Sequence, residues 1–426
     1  MTQLAGTTLQ GGQAEAGLPP ADAPHDVRAA GHELRVYVES PPLFADMVKD
    51  IQAAQSRVWL ETYIFFNDDG GRAIAEALIE RARAGVDVRV LYDALGSNTT
   101  PAGFFAELEK AGVKLHCFHS LFEILRKLKP LALLNRRNHR KLLVVDERVA
   151  YFGGMNIIDN VETVGQQKAE DKPSSSGWRD VHVRMSGPQV DEVAESFERS
   201  WRRAHGEKVA RRSRAYRRAI HAAPVGAGRR MRKPDDDWTL PTATAESIRF
   251  FDSGPGFKYS RAKRVFTRLL KSARFSVNIS MAYFIPVGSV LRGLLAARKR
   301  RVRVRIVVPG KSDVALVQRA SNYLYEKLLR RGLRIYERKH RMLHSKVMVV
   351  DDQYTVVGSC NMDPRSLYVN LEFLAVIRST AFATIINRII HNEVEQSERI
   401  TLAKAKSIGR WQRFVNSLAW SFRWWL

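Results

Sequence analysis

The chain has 426 residues, 45% hydrophobic and 27% charged, enough to bury a sizeable core and, at ~150 residues per domain, to form two or three domains. This composition excludes a collagen, a largely disordered chain and a small disulfide scaffold; Cys117 and Cys360 are too few and too far apart for a disulfide framework or a repeated CxxC metal site, and both are expected as free thiols in a reducing compartment. With 69 Lys and Arg against 44 Asp and Glu, the formal charge of +25 points to a polyanionic partner, either nucleic acid or an anionic membrane.

Residues 1–30 are rich in Ala, Gly and Pro, lack the basic and then apolar regions of a signal peptide, show no helix or strand period, and are expected to form a disordered tail. A helical period over 71–84 leads into a strand over 86–92. Residues 121–131 mix Leu121, Phe122, Ile124, Leu125 and Leu128 with Arg126, Lys127 and Lys129, as a segment lying in a membrane interface would. A buried-strand run over 141–145 follows His139. Alternate residues of a strand share a face, so His139 and Lys141 project together and Arg140 points away. Asp146 ends this run, and Gly153, Gly154 and Asn156 follow.

A polar loop over 166–177, with Ser174, Ser175 and Ser176, fits no core, and residues 202–235 become Arg-rich and read as a linker. The pattern then returns: a helical period over 288–297, a strand over 302–308, and a second run bearing His344, Lys346 and Asp351, followed by Gly358, Ser359 and Asn361. Each of these six named residues lies 205 positions after its counterpart in the first copy. At the C-terminus Trp411, Phe414, Leu418, Phe422 and Trp425 recur at helical spacing among Arg410, Arg413 and Arg423, a combination suited to the headgroup layer. No stretch approaches the ~18 apolar residues of a membrane-spanning helix.

Strands alternating with helices in both copies predict two α/β halves. An imidazole beside an ammonium, with an Asn amide arriving from the loop after the next strand, supplies a nucleophile or acid together with donors for phosphate oxygens. That is a phosphoryl-transfer set without a metal. Asp146 and Asp351 complete each copy's catalytic signature in a supporting role, forming a turn and a salt bridge that steadies the site.

The duplicated HxKx4D, with GGxN after one copy and GSxN after the other, resembles the phospholipase D superfamily over about residues 33–400. Residues 60–65 and 282–286, Asp93 through Ser97, Trp178 through Asp180, and Asp363 through Glu372 make the chain most similar to the bacterial cardiolipin synthases, in their short form without N-terminal membrane spans. The resemblance implies one pseudo-two-fold α/β unit of two similar lobes, mixed sheets flanked by helices, with a single active site at their interface. The boundaries expected are a tail at 1–30, lobes at 31–205 and 246–398, a basic linker at 206–245 and an amphipathic aromatic and basic tail at 399–426.

The resemblance further implies transfer of the phosphatidyl group of one phosphatidylglycerol to another, releasing glycerol, by way of a phosphohistidine. His139 is assigned as nucleophile and His344 as acid and base. Lys141, Lys346, Asn156 and Asn361 hold the phosphate. Glu372 is expected to orient His344, and Asp180 to orient His139. Two departures from symmetry, Gly154 in the place of Ser359 and the shorter Asp180 against Glu372, imply half-sites that are not equivalent. No cofactor or metal is expected. The partner is an anionic membrane surface, met peripherally at the cytoplasmic face. A hydrolytic phospholipase D would use the same residues with water as acceptor. A nucleic-acid phosphodiesterase would suit the basic charge, but the aromatic C-terminus argues against it.

Overall fold

The computed structural model describes residues 20, 22–119, 135–159, 178–206, 245–255, 260–339 and 341–425. The first half forms one sheet from β1 (His25–Ala29), β2 (His32–Tyr37), β3 (Arg57–Thr62), β4 (Asp87–Asp93), β5 (Lys114–Phe118), β6 (Leu142–Val145), β7 (Val149–Gly153) and β8 (His182–Ser186). Its strand order is β1-β2-β8-β7-β6-β3-β4-β5. Only the pairs β3–β4 and β4–β5 are parallel.

The second half builds its sheet from β9 (Ser247–Ser253), β10 (Ser276–Met281), β11 (Arg303–Pro309), β12 (Arg334–Arg338), β13 (Lys346–Val350), β14 (Tyr354–Gly358), β15 (Glu372–Arg378) and β16 (Ser397–Ile400). The order β16-β12-β11-β10-β13-β14-β15-β9 carries the same core of seven strands, with β10–β11 and β11–β12 as the parallel pairs. The duplication in the sequence is therefore a duplication of topology.

Parallel neighbours need crossovers, and helices supply them. The helices are α1 (Ser40–Gln52), α2 (Asp69–Arg83), α3 (Ala102–Lys110), α4 (Val190–Ala204), α5 (Arg261–Ser272), α6 (Gly288–Lys299), α7 (Ala315–Arg330), α8 (Pro364–Tyr368), α9 (Thr380–Glu395), α10 (Leu402–Lys406) and α11 (Arg410–Ser421). Asp68 starts α2 by accepting the Gly71 N–H at 2.9 Å, the capping bond expected of an Asp at that place. The predicted helices over 71–84 and 288–297 are α2 and α6, and the predicted strands over 86–92 and 302–308 are β4 and β11.

Alternation along the strands sends side chains to different cores. Leu143 and Val145 of β6 pack outward under α1, α2 and α3, whereas Leu142 and Val144 face inward. Met348 and Val350 of β13 pack outward under α5, α6 and α7, whereas Val347 and Val349 face inward. The two inner faces share one core, closed by Phe197 of α4 and by Phe382 and Ile386 of α9. Burial on both faces is why these strands read as unbroken apolar runs.

Two boundaries differ from expectation. Residues 25–29 were expected in a disordered tail but form β1, paired antiparallel with β2. Its few inward residues, His25 and Ala29 among them, are lost in the average composition of residues 1–30. Residues 399–400, expected in the C-terminal tail, belong to β16 at the sheet edge. No helix among the described residues is long and apolar enough to cross a membrane.

Candidate active site

Each catalytic-type histidine enters on a segment stitched to the opposite lobe. The His139 N–H donates to Leu371 O at 3.0 Å, and the Leu371 N–H returns to Arg137 O at 2.9 Å. Likewise the His344 N–H donates to Arg179 O at 2.7 Å, and the Arg179 N–H donates to Met342 O at 2.9 Å. Glu372 follows Leu371 and Asp180 follows Arg179, so each bridge delivers a carboxylate across the interface. His139 Nδ1 lies 3.2 Å from Glu372 Oε2, and His344 Nδ1 lies 2.7 Å from Asp180 Oδ2.

This corrects the expected pairing of Asp180 with His139 and of Glu372 with His344. The interlobe bridges, not membership of the same half, decide which histidine each carboxylate meets. Both carboxylates are buried. A carboxylate at Nδ1 holds the ring N–H there and leaves the Nε2 lone pair for chemistry. Neither lobe alone contains a complete histidine–carboxylate pair.

The lysines sit against the same groups. Lys346 Nζ lies 3.1 Å from Asp180 Oδ2 and 2.6 Å from His344 Nδ1. Lys141 Nζ donates to His139 O at 2.6 Å and stands 5.4 Å from the centre of the Tyr63 ring. Burial, and after it the Lys141 charge, pushes His139 down to about 4 against the pull of Glu372. Burial and then Lys346 push His344 down as well. Burial, followed by the neighbouring Lys346, lowers Lys141 to about 7, and burial also lowers Lys346. Burial pushes Asp180 up, but Lys346 and His344 together outweigh it and hold the carboxyl below the usual range. The site thus holds His139 as a neutral imidazole beside two buried lysines, whose charge an incoming phosphate would stabilise.

Asn156 and Asn361 are both buried, in the loops after β7 and β14. Asn156 Oδ1 and Trp178 Nε1 are buried with no hydrogen-bond partner among the described groups, and Asn361 Oδ1 accepts the Tyr283 N–H at 3.4 Å. Buried polar atoms left unpaired beside a reactive cleft are candidates to meet a ligand. Aromatic rings wall the histidines: Trp178 lies 4.4 Å from the His344 ring, and Tyr283 and Tyr63 present edges to His344 and His139 at 6.3 and 5.2 Å. All three fall in stretches the sequence marks by resemblance, but nothing in their spacing gives them a role.

The expected asymmetry has a steric cause. A Cβ at Gly154 would lie 2.1 Å from Asp180 Oδ1, so the short carboxylate occupies the space a side chain would need. In the other half the longer Glu372 leaves room for Ser359, whose hydroxyl donates to Glu372 Oε2.

Asp146 and Asp351 do not join the site, which corrects their place in the catalytic set. Asp146 follows Lys141 by five residues of strand, ~17 Å. Its carboxylate accepts the N–H groups of Gln55, Ser56 and Arg57 at 3.1, 2.9 and 3.1 Å. Asp351 accepts those of Arg274, Phe275 and Ser276 at 2.8, 2.7 and 2.9 Å. Both residues have φ of 53°, a left-handed conformation that Asp tolerates. They lock the turns ahead of β3 and β10; the expected salt bridge is Arg148 Nε to Asp146 Oδ2 at 3.4 Å, on the turn and not at the site.

Sequence reasoning missed two buried arginines that hold the site from behind. Arg140 points away from the cleft as expected, but it enters the interlobe core, donating to Asp252 Oδ1 at 2.9 Å and pairing with Glu61 Oε2 at 3.1 Å. Arg179 Nε donates to Glu393 Oε1 at 2.7 Å. The proposed interfacial segment over 121–131, the polar loop over 166–177 and most of the basic linker lie outside the described residues.

Residues 47–165 and 266–394 match the protein family described as "Cardiolipin synthase, PLD-like domain". Cardiolipin synthase A of Pseudomonas fluorescens Pf-5 is 30% identical over 387 residues, covering 90% of this chain and 73% of that protein. Major cardiolipin synthase ClsA of Bacillus subtilis 168 is 30% identical over 396 residues, covering 93% and 76%. Among solved structures, the phosphatidylserine synthase of Haemophilus influenzae Rd KW20 shares the fold over 95% of both chains, with a TM-score of 0.63 at 14% identity.

Proposed function

The chain belongs to the cardiolipin synthase family of the phospholipase D superfamily and is a phosphatidyltransferase, and we propose that it moves the phosphatidyl group of one phosphatidylglycerol to a second at an anionic membrane surface, through a phosphohistidine. The observation that carries this reading is the pair of histidines, each held at Nδ1 by a buried carboxylate from the opposite lobe and flanked by a lysine.

In the first step His139 Nε2 attacks phosphorus. The bond from phosphorus to the glycerol oxygen breaks, and His344, carrying a proton, gives it to that oxygen as glycerol leaves. In the second step neutral His344 takes the proton from a hydroxyl of the second phosphatidylglycerol, whose oxygen attacks phosphorus. The phosphorus–nitrogen bond then breaks and cardiolipin forms. His139, lowered to about 4, is unprotonated at neutral pH, as a nucleophile must be. Asp180, at 2.7 Å, supports the imidazolium of His344. Lys141, Lys346, Asn156 and Asn361 surround the phosphate and offset its developing charge. On this reading the enzyme works as a peripheral protein at the cytoplasmic face of the membrane.

A donor with a p-nitrophenol headgroup leaves without an acid, which separates the steps. With it, His344→Ala should accumulate an acid-labile, alkali-stable phosphatidyl-enzyme in a quenched reaction, and His139→Ala should form none. Label retained in His139→Ala would reverse the two roles, and no label in any variant would remove the covalent intermediate.

A further inference from the structure

Helix α11 carries one more apolar face than the fold uses. Its inner side packs on α7: Ala419 joins Val317, Ala320 and Ile285, and Trp420 stacks on Tyr323 with ring centres 5.3 Å apart. Its outer side and the turn after it expose Trp411 (75%), Phe414 (57%), Leu418 (48%), Phe422 (50%) and Trp425 (70%). Val314 and Leu316 at the start of α7 are exposed as well. Large apolar side chains gathered in this way form a patch rather than scattered exposure.

The patch borders the cleft at two places. Trp424 packs 5.6 Å from the Tyr368 ring, and Trp425 O accepts from Arg365 Nη1 at 3.4 Å; both partners lie in α8, just beyond Asn361. On the other side Asp313, beside Val314, accepts from the Tyr283 hydroxyl at 2.6 Å, and Tyr283 presents its edge to His344.

We propose that the outer face of α11, with the adjoining start of α7, is the docking surface for an anionic phospholipid bilayer, holding the cleft against the headgroup layer so that a lipid phosphate reaches the histidines without leaving the membrane. The inference rests on the lipid-transfer reading above. Charge decides the occupant. Exposed Arg410 and Arg413 stand among the rings, and Arg423 lies 4.7 Å over Trp420, in a chain of charge +25. Tryptophan and arginine together suit the headgroup layer of an anionic bilayer, and each arginine there gains attraction. A second copy on the same face would set its arginines against these.

The test compares the wild-type chain with the triple variant Trp411→Ser, Phe414→Ser, Trp425→Ser, whose substitutions lie on the exposed face and should leave the melting temperature unchanged. Flotation with vesicles of phosphatidylglycerol and phosphatidylcholine should show binding weakened about tenfold or more in the variant, with vesicle turnover falling in step. Turnover of short-chain phosphatidylglycerol dispersed as monomers should stay within about twofold, because the cleft itself is untouched. A variant that floats like the wild type overturns the proposal. So does a wild-type dimer that dissociates in the variant while vesicle binding persists, which would make the face a subunit interface. Wild-type protein that floats through α11 yet turns over no phosphatidylglycerol keeps the docking surface and refutes the transfer reading. Turnover of the short-chain lipid without vesicle binding does the reverse.

Discussion

Asp180 sets one negative charge against two donors, lying 2.7 Å from His344 Nδ1 and 3.1 Å from Lys346 Nζ. Asp180→Asn removes that charge and can present an N–H to Nδ1, imposing the wrong tautomer; kcat should fall by about 10²- to 10⁴-fold with folding intact, as near-ultraviolet circular dichroism would show. Gly154→Ala should lose activity too, because its Cβ has no space beside the Asp180 carboxylate. Ser359→Ala, which removes only one donor to Glu372, should cost much less. The pH dependence follows from His139 and Lys141. The nucleophile must be neutral and leaves that state only as pH falls through about 4, whereas the phosphate-binding lysine loses its charge as pH rises through about 7. A profile of kcat/KM should be bell-shaped, and Lys141→Arg, which does not deprotonate, should remove the lysine's part of the alkaline fall and leave the part set by loss of the proton that His344 must carry.

Strands β6 and β13 end in turns that the Asp of each motif secures, so the HxKx4D spacing joins a catalytic end to a structural one. Asp146→Ala should cost ~2 kcal/mol, the scale of hydrogen bonds to a charged group, while kcat of the folded fraction is unchanged; urea titration beside an activity assay separates the two. Backbone N–H bonds hold the folded Asp146 at about 2 against the pull of burial, below the ordinary carboxylate value near 4, so its stabilisation is complete above ~4 and is lost as pH falls towards 2. The sequence makes this half-legible: the apolar run of β6, His139 and Lys141 on one face, and the duplication all follow from residue order. Which acid meets which histidine does not, because it depends on the interlobe bridges of 137–139 with 371 and of 342–344 with 179, pairings between segments far apart in the chain. Edge strands β1 and β16 escaped for a different reason, being short and half-exposed, with too few inward residues to impose a period.

Two lobes that each hold half of a reactive site must be locked together, and buried ion pairs do this behind each histidine. Arg140 carries the Glu61 carboxylate of its own lobe and the Asp252 carboxylate of the other, while Arg179 meets Glu393, which also pairs with Arg338. Arg140→Ala leaves the buried Glu61 without its cation, although Asp252 keeps Arg199, and should cost ~3–5 kcal/mol, read as a lowered urea midpoint. The proposed transfer needs one site assembled from both lobes and working on phosphatidylglycerol. Its most direct test follows the lipid products of labelled phosphatidylglycerol in anionic vesicles containing chelator, with the wild-type chain beside His139→Ala and His344→Ala. Cardiolipin and glycerol from the wild type, and neither from either variant, is the predicted result; phosphatidic acid in place of cardiolipin, or cardiolipin still formed after loss of one histidine, would contradict it.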